Sequence, residues 1–157
     1  MEKIKVIKAR REHIPRIVEM WKDFMDFHAR ADPFCTRNPR AHIGYQKHLG
    51  EIISSRNARL YVLLVDNQVA GYASVKIAKY PPVFNYKYFG FINDMYVDPT
   101  YRRKGLGELM LKTVMEWFRL RGMKQIELGA IARNKVAVSF WRKMGFADRM
   151  IRMYKEI

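Results

Sequence analysis

The sequence predicts a mixed α/β domain running β-α-α-β-β-β-α-β-α-β over residues 1–157. Three observations predict it. Apolar spacing switches repeatedly between the two-residue period of a strand and the 3.6-residue period of a helix. Turn pairs, Asp66-Asn67, Pro81-Pro82 and Asp98-Pro99, separate the periodic runs. The chain also has 49% hydrophobic residues and no repeat, low-complexity tract or Gly/Ser linker. That content at this length suffices for one buried core.

The elements follow in order. Residues 3–8 alternate and give the first strand. Ile14, Ile17, Val18, Trp21, Phe24, Met25 and His28 recur at helical spacing, with Pro15 where a first helical turn tolerates it. Asp32-Pro33 and Asn38-Pro39 make 31–39 a loop, and a second helix spans about 42–54. Residues 59–65 and 68–80 are strands around the Asp66-Asn67 turn. An aromatic run from Phe84 to Phe91 leads into a fourth strand ending near Val97. Leu106, Met110, Val114 and Trp117 line one face of a long helix that Gly122 stops. A short strand over 125–132, a helix over 134–144 and a tail carrying one or two last strands complete the chain.

Composition limits the function classes. No apolar run approaches the ~18 residues of a membrane span. Alternation begins directly after Met-Glu-Lys, without an apolar signal segment. The single cysteine, Cys35, has no internal disulfide partner, and no Cys/His cluster has metal-ligand spacing. The expectation is a cytoplasmic, metal-free protein. The net charge is +15, and fourteen Lys and Arg face only five Asp and Glu beyond residue 100. Such a field attracts a nucleotide cofactor, a nucleic acid or an acidic protein, or serves only as a solvated basic surface.

The chemistry gathers between the fourth strand and the long helix, in Val97-Asp98-Pro99-Thr100-Tyr101-Arg102-Arg103-Lys104-Gly105-Leu106-Gly107. A helix start offers unpaired N–H donors and the positive end of the helix dipole, which suit a phosphate. Gly105 and Gly107 permit a tight curl close to an anion, and Arg102, Arg103 and Lys104 add positive charge. A dinucleotide fingerprint needs a third glycine where Met110 stands. A P-loop needs Gly-Lys-Ser/Thr where the chain reads Gly-Glu-Leu. A tight turn beside a basic patch, with no ligand, is the remaining structural alternative.

Arg102-x-x-Gly105-x-Gly107 resembles the acetyl-CoA signature of the GNAT superfamily of N-acetyltransferases. Downstream, Asn134-x-x-Ala137-x-x-Phe140-Trp141-x-x-x-Gly145-Phe146 is similar to that family's second motif. The resemblance is strongest from about Asn93 to Phe146 and weak before Arg59. It implies that the central sheet splays between the fourth and fifth strands and that pantetheine lies in the gap. The strand stretches would be Asp94–Val97 and Glu127–Ile131. It implies an acetyl-CoA pyrophosphate on the loop formed by Arg102, Arg103, Lys104, Gly105, Leu106 and Gly107. The pantetheine amides would pair with the strand edge at Met95, Tyr96 and Val97, a form of strand addition. Asn134, Phe140 and Trp141 complete the implied cofactor contacts; Asn134 is equally suited to cap its helix.

Acetyl transfer to an amine needs a base for the ammonium and a proton for the departing thiolate. Trp141 occupies the position where many relatives carry an acidic tyrosine, and an indole N–H is no general acid. Tyr96, Tyr101 and Tyr154 are the alternative donors. Asn93 occupies the position of a glutamate base, which leaves Asp94 as the nearest carboxylate. Plain alternation points Asp94 away from Asn93, and a β-bulge would restore its aim. The alternative for Asp94 is a carboxylate bonding local backbone at a strand bend. By the same resemblance the acceptor pocket falls at His28–Arg40 and Tyr80–Phe89, with His28, Asp32, Tyr80, Tyr86 and Asn93 as candidate lining. Each has a structural alternative: His28 in the core, Asp32 in its turn, and the Tyr80–Phe89 aromatics as core or a dimer surface. An acetyltransferase acting on a small-molecule or peptide amine in a ternary complex is the leading expectation. Modification of a protein or RNA target, and a degenerate acetyl-CoA-binding or nucleic-acid-binding domain without turnover, are the alternatives. A homodimer and contact with nucleic acid or the ribosome stay open, and no membrane partner is expected.

Overall fold

The computed structural model describes residues 1–157. Strand β1 (Ile4–Lys8) is followed by two helices, α1 (Ile14–Ala31) and α2 (Ala41–Ser54). Strands β2 (Ala58–Val65), β3 (Gln68–Lys79) and β4 (Tyr88–Val97) come next, then α3 (Leu106–Leu120), β5 (Ile126–Leu128) and α4 (Lys135–Lys143). The strands form one sheet in the order β1-β2-β3-β4-β5. All pairs are antiparallel except β4–β5, which is parallel. No helix is long and apolar enough to cross a membrane.

Local chemistry explains most of these elements. Pro15 sits in the first turn of α1, where its missing N–H costs nothing. The β2–β3 turn places Asp66 and Asn67 at φ 48° and 65°, the paired left-handed geometry that twists two strands together. The Asp66 carboxylate accepts from the Lys3 N–H at 2.8 Å, which ties the same turn to the chain start. Period-two alternation in β2 sends Val62 and Leu63 to opposite faces, so the sheet has two cores. Ile17, Met20, Leu49 and Tyr72 fill the one beneath α1 and α2. Met110, Val114 and Phe118 of α3 fill the other with Ala73, Val75 and Ile92.

Two departures from the expected order bear on the site. Strand β5 is limited to Ile126–Leu128, shorter than the run over 125–132. The tail after Phe146 carries no strand, and Met150, Ile151, Met153 and Tyr154 are all exposed. Strand preference is realised only against cross-strand neighbours. The tail's ties to β5 are side-chain ones, Arg149 to Gln125 at 2.6 Å and to Glu127 at 3.6 Å.

The β4–β5 junction is tight. Gly90 donates to the Gln125 carbonyl at 2.9 Å, and a Cβ there would fall 2.6 Å from the Phe118 ring of α3. Substituting Gly90→Ala is expected to cost about 1–3 kcal/mol by overpacking, read as a lowered melting temperature.

Candidate active site

The loop between β4 and α3 is built as an anion cradle. Asp98 opens it: its carboxylate accepts from the Thr100 N–H at 3.0 Å and the Thr100 hydroxyl at 2.7 Å. Arg16 of α1 donates to the other oxygen at 2.9 Å. Partial burial pushes the Asp98 carboxyl up, but the Thr100 bonds and Arg16 outweigh it and hold it below its ordinary value. Arg103 (φ 61°) and Gly105 (φ 73°) then turn left-handed. No loop or cap hydrogen bond uses the N–H groups of residues 103–108; the first helical bond runs from Leu109 to the Gly105 carbonyl at 3.1 Å. A run of free donors curled at a helix start is suited to a phosphate.

The three cations contribute unequally. Arg102 folds back, donating from Nε to the Val97 carbonyl at 2.8 Å with its guanidinium 5.4 Å from the Tyr96 ring centre. Lys104 pairs with Glu2 at 3.2 Å. Arg103 is exposed and has no acidic partner. The side chain of Leu106 is buried in the core, so only its backbone serves the cradle. Gly107 lies 3.5 Å, measured from an added Cβ, from the Phe140 ring, which brings α4 against the loop.

Beside the cradle, β4 has a free edge. Its parallel pairing to β5 covers only Gly90, Phe91 and Ile92. The Asp98 N–H goes to Ala70 of the β3 side at 2.8 Å. Alternation therefore turns the backbone groups of Val97 and Met95 the other way, into the gap, while those of Tyr96 face β3. The Tyr96 side chain is buried between Phe24 and Tyr72, so it belongs to the core. Across the gap, Asn134 is buried and caps α4, accepting from the Ala137 N–H at 3.2 Å. Trp141 packs between Phe140 and Phe146, with ring centres 5.0 and 5.3 Å away.

A register slip in β4 places the carboxylate. Ser74 faces Asp94 and Val75 faces Ile92, so Asn93 is the extra residue of a β-bulge. Ile92 enters the α3-side core. Asp94, two residues on, turns to the α1–α2 face, where the Tyr45 hydroxyl donates to its Oδ2 at 3.0 Å. Asn93 reaches the same face, with Nδ2 3.5 Å from the Ser74 hydroxyl. Burial pushes the Asp94 carboxyl up; the Tyr45 hydrogen bond and the charges of His28 and His48 pull it partly back.

The remaining candidates divide. His28 faces Asp94 and anchors its Nδ1 on the Phe24 carbonyl at 3.0 Å, its ring edge-on to Phe24. Asp32 serves its turn, accepting from the Phe34 N–H at 3.1 Å. Tyr80 lies at the other end of the sheet, where its hydroxyl donates to Glu127 at 2.7 Å and its ring stacks on Phe89. The register of Lys79 with Tyr88 and Ser74 with Asp94 separates it from the bulge. Tyr86 is exposed in the same distal hairpin. Sequence reasoning missed Tyr45, which stacks on Trp21 with ring centres 4.2 Å apart. The Trp21–Phe24–His28 stripe of α1 was legible, but what α2 lays across it was not.

Free backbone donors at a helix start, a strand edge left unpaired beside them and a carboxylate on the α1–α2 face together suit a protein that takes a phosphate-bearing carrier. The model of the acetyltransferase (GNAT) family matches residues 17–146, and the chain belongs to that family. An uncharacterized N-acetyltransferase of Methanocaldococcus jannaschii is 31% identical over 71 residues, 42% of this chain and 31% of that protein. An aminoglycoside N(6')-acetyltransferase type 1 of Klebsiella aerogenes is 26% identical over 66% of this chain and 71% of its own. The chain thus spans about a third of one relative and most of the other. A crystal structure of a predicted acetyltransferase with acetyl-CoA from Clostridium acetobutylicum shares the fold, with TM-score 0.80 and 20% identity over 98% of this chain and 96% of that one.

The cradle and the β4 edge fit acetyl-CoA, the donor used by this family: amides for its pyrophosphate and a strand edge for its pantetheine. The Gly105 side of the curl is open, with no atom within 4 Å of an added Cβ, so only its φ resists substitution. Gly105→Ala is expected to cost about 1–2 kcal/mol of stability. The rise in melting temperature given by acetyl-CoA should shrink in the same variant.

Proposed function

We propose that this chain transfers the acetyl group of acetyl-CoA to a primary amine by direct attack in a ternary complex, with Asp94 as the base. The observation that carries the reading is the bulge at Asn93, which turns Asp94 out of the strand alternation beside the free edge of β4. The acceptor arrives as an ammonium and must lose a proton before its nitrogen can attack the thioester carbon. Asp94 takes that proton. The C–N bond then forms, the C–S bond breaks, and the thiolate leaves to be protonated by water. A thiol pKa near ~8.5 makes this departure feasible without a protein acid. The candidate tyrosines argue for water as the donor. Tyr96 is buried with its hydroxyl pushed up by burial, Tyr101 packs against the α3-side core, and Tyr154 is exposed on the tail.

The acceptor comes from the α1–α2 side, along His28 and Asn93. Relatives named for aminoglycosides and for alanine of ribosomal protein bS18 supply the first panel: an aminoglycoside carrying a 6'-amine and an alanyl peptide. One compact unit of residues 1–157 in the cytoplasm accords with this reading. Thiol release from acetyl-CoA that depends on an amine supports it. Acetyl-CoA binding without turnover across the panel would favour the binding-only alternative.

Asp94→Asn is expected to lower kcat/KM by roughly 10²–10⁴-fold while acetyl-CoA still raises the melting temperature. Unchanged turnover would remove Asp94 as base. The same variant has a stability signature. Folding raises the Asp94 pKa, so the folded state binds the extra proton and loses stability as pH rises through that pKa. Asp94→Asn escapes this loss: it should melt above the parent at pH 7, and the difference should vanish below about pH 4.

A further inference from the structure

The Asp94 carboxylate is held on one side only. Tyr45 donates to Oδ2 at 3.0 Å, and Oδ1 takes no hydrogen bond from the chain. The ring that carries the hydroxyl is itself fixed. It lies on Trp21 at 4.2 Å between centres and 14° between planes, and Trp21 is buried in the α1 core. Phenylalanine would stack on Trp21 equally well. The hydroxyl is the part of Tyr45 that the packing does not require, and it goes to the bulge carboxylate.

We infer that Tyr45 is a positioning residue for acetyl transfer: its hydroxyl pins Asp94 Oδ2 from helix α2 and leaves Oδ1 to take the acceptor's proton. This rests on Asp94 being the base. A hydrogen bond donated to a carboxylate stabilises the charged form, so Tyr45 also sets where Asp94 becomes competent on the pH scale. Every titratable group facing Asp94 enters that balance: Tyr45 and His48 from α2, His28 from α1 and Tyr72 from β3. Burial pushes both tyrosine hydroxyls far above their ordinary value, so neither ionises in the working range. The histidine charges act alike on parent and variant. The difference between the two therefore isolates the Tyr45 hydroxyl.

The test is Tyr45→Phe, which keeps the ring on Trp21. With the best acceptor of the panel, the acid limb of the kcat/KM profile should move up by about one pH unit. Its kcat should fall about 10-fold, and KM for acetyl-CoA should stay constant. The ¹³C carboxyl resonance of Asp94, assigned with Asp94→Asn, should titrate upward by the same amount. A parent-like titration and profile in a folded Tyr45→Phe protein would overturn the inference while leaving Asp94 as base. Full turnover in Asp94→Asn, or a panel without any turnover, would sink the base assignment and this role with it. If Tyr45→Phe does not fold, 3-fluorotyrosine at position 45 decides the matter. Its more acidic hydroxyl donates more strongly, so the limb should move down, and an unmoved limb would overturn the inference.

Discussion

Strand β4 is paired along its whole length to β3 on one side, and to β5 on the other over Gly90, Phe91 and Ile92 only. The change comes at one residue. Asn93 follows directly on Ile92, the last paired with β5, and it is the residue left over by the register slip. A bulge increases local twist and bends its strand. It therefore turns β4 away from β5, while pairing to β3 on both sides of the bulge keeps β4 in the sheet. Beyond the bend, the amides of Met95 and Val97 and the Met95 carbonyl have no strand to meet, while the Val97 carbonyl takes Arg102 Nε. Backbone groups in that position need water or a ligand. The gap, the free edge and the rotation of Asp94 to the α1–α2 face are consequences of this single inserted residue.

The cradle solves a different problem by similar means. The net charge of +15 attracts an anion at long range, but the nearby cations are largely spoken for. Lys104 is neutralised by Glu2, and the Arg102 Nε closes on the Val97 carbonyl. What remains is the exposed Arg103 and the backbone, in which left-handed turns at Arg103 and Gly105 present free N–H groups in series. Fixed dipoles of this kind need no side-chain ordering when a phosphate arrives. The Arg16–Asp98 bridge, at 2.9 Å, ties the entrance of the loop to α1. That helix also carries Trp21 and His28, so the loop and the α1–α2 face around Asp94 are tied to one element.

Legibility in the sequence follows the range of the forces. Helix α1, the Asp66-Asn67 turn and the start of α3 are set by residues within a few positions of each other, and their spacing reveals them. The bulge at Asn93 is a register event. It depends on how Ser74 and Val75 of β3 align, and Asn93-Asp94 carries no compositional mark of it. Tyr45 is invisible for the same reason, since its partners Trp21 and Asp94 are brought to it by the docking of α2. Tyr80 is a different case. Its aromatic neighbourhood was read as pocket lining, core or a dimer surface, and its hydroxyl donates to Glu127 on β5. The tail illustrates the limit of strand propensity, because its apolar residues find no partner edge and stay exposed.

The proton inventory gives the site its asymmetry. An alkyl ammonium near pKa ~10 must be deprotonated against the ambient pH, whereas a thiolate with a conjugate acid near ~8.5 leaves with little help. A base is therefore worth more to this reaction than an acid. The chain matches that ranking on the reading given above. Where a tyrosine acid is usual, it carries Trp141, packed between Phe140 and Phe146 and without an ionisable proton near neutral pH. On the other side it turns a carboxylate through a bulge, raises its basicity by burial and tempers that rise with a tyrosine hydroxyl. Burial pushes the Asp94 carboxyl up and makes it a stronger base, while the Tyr45 hydrogen bond favours its charged form. On the reading that Asp94 is the base, the balance between these two effects lies with Tyr45, a residue of α2 that the packing of its ring alone does not explain.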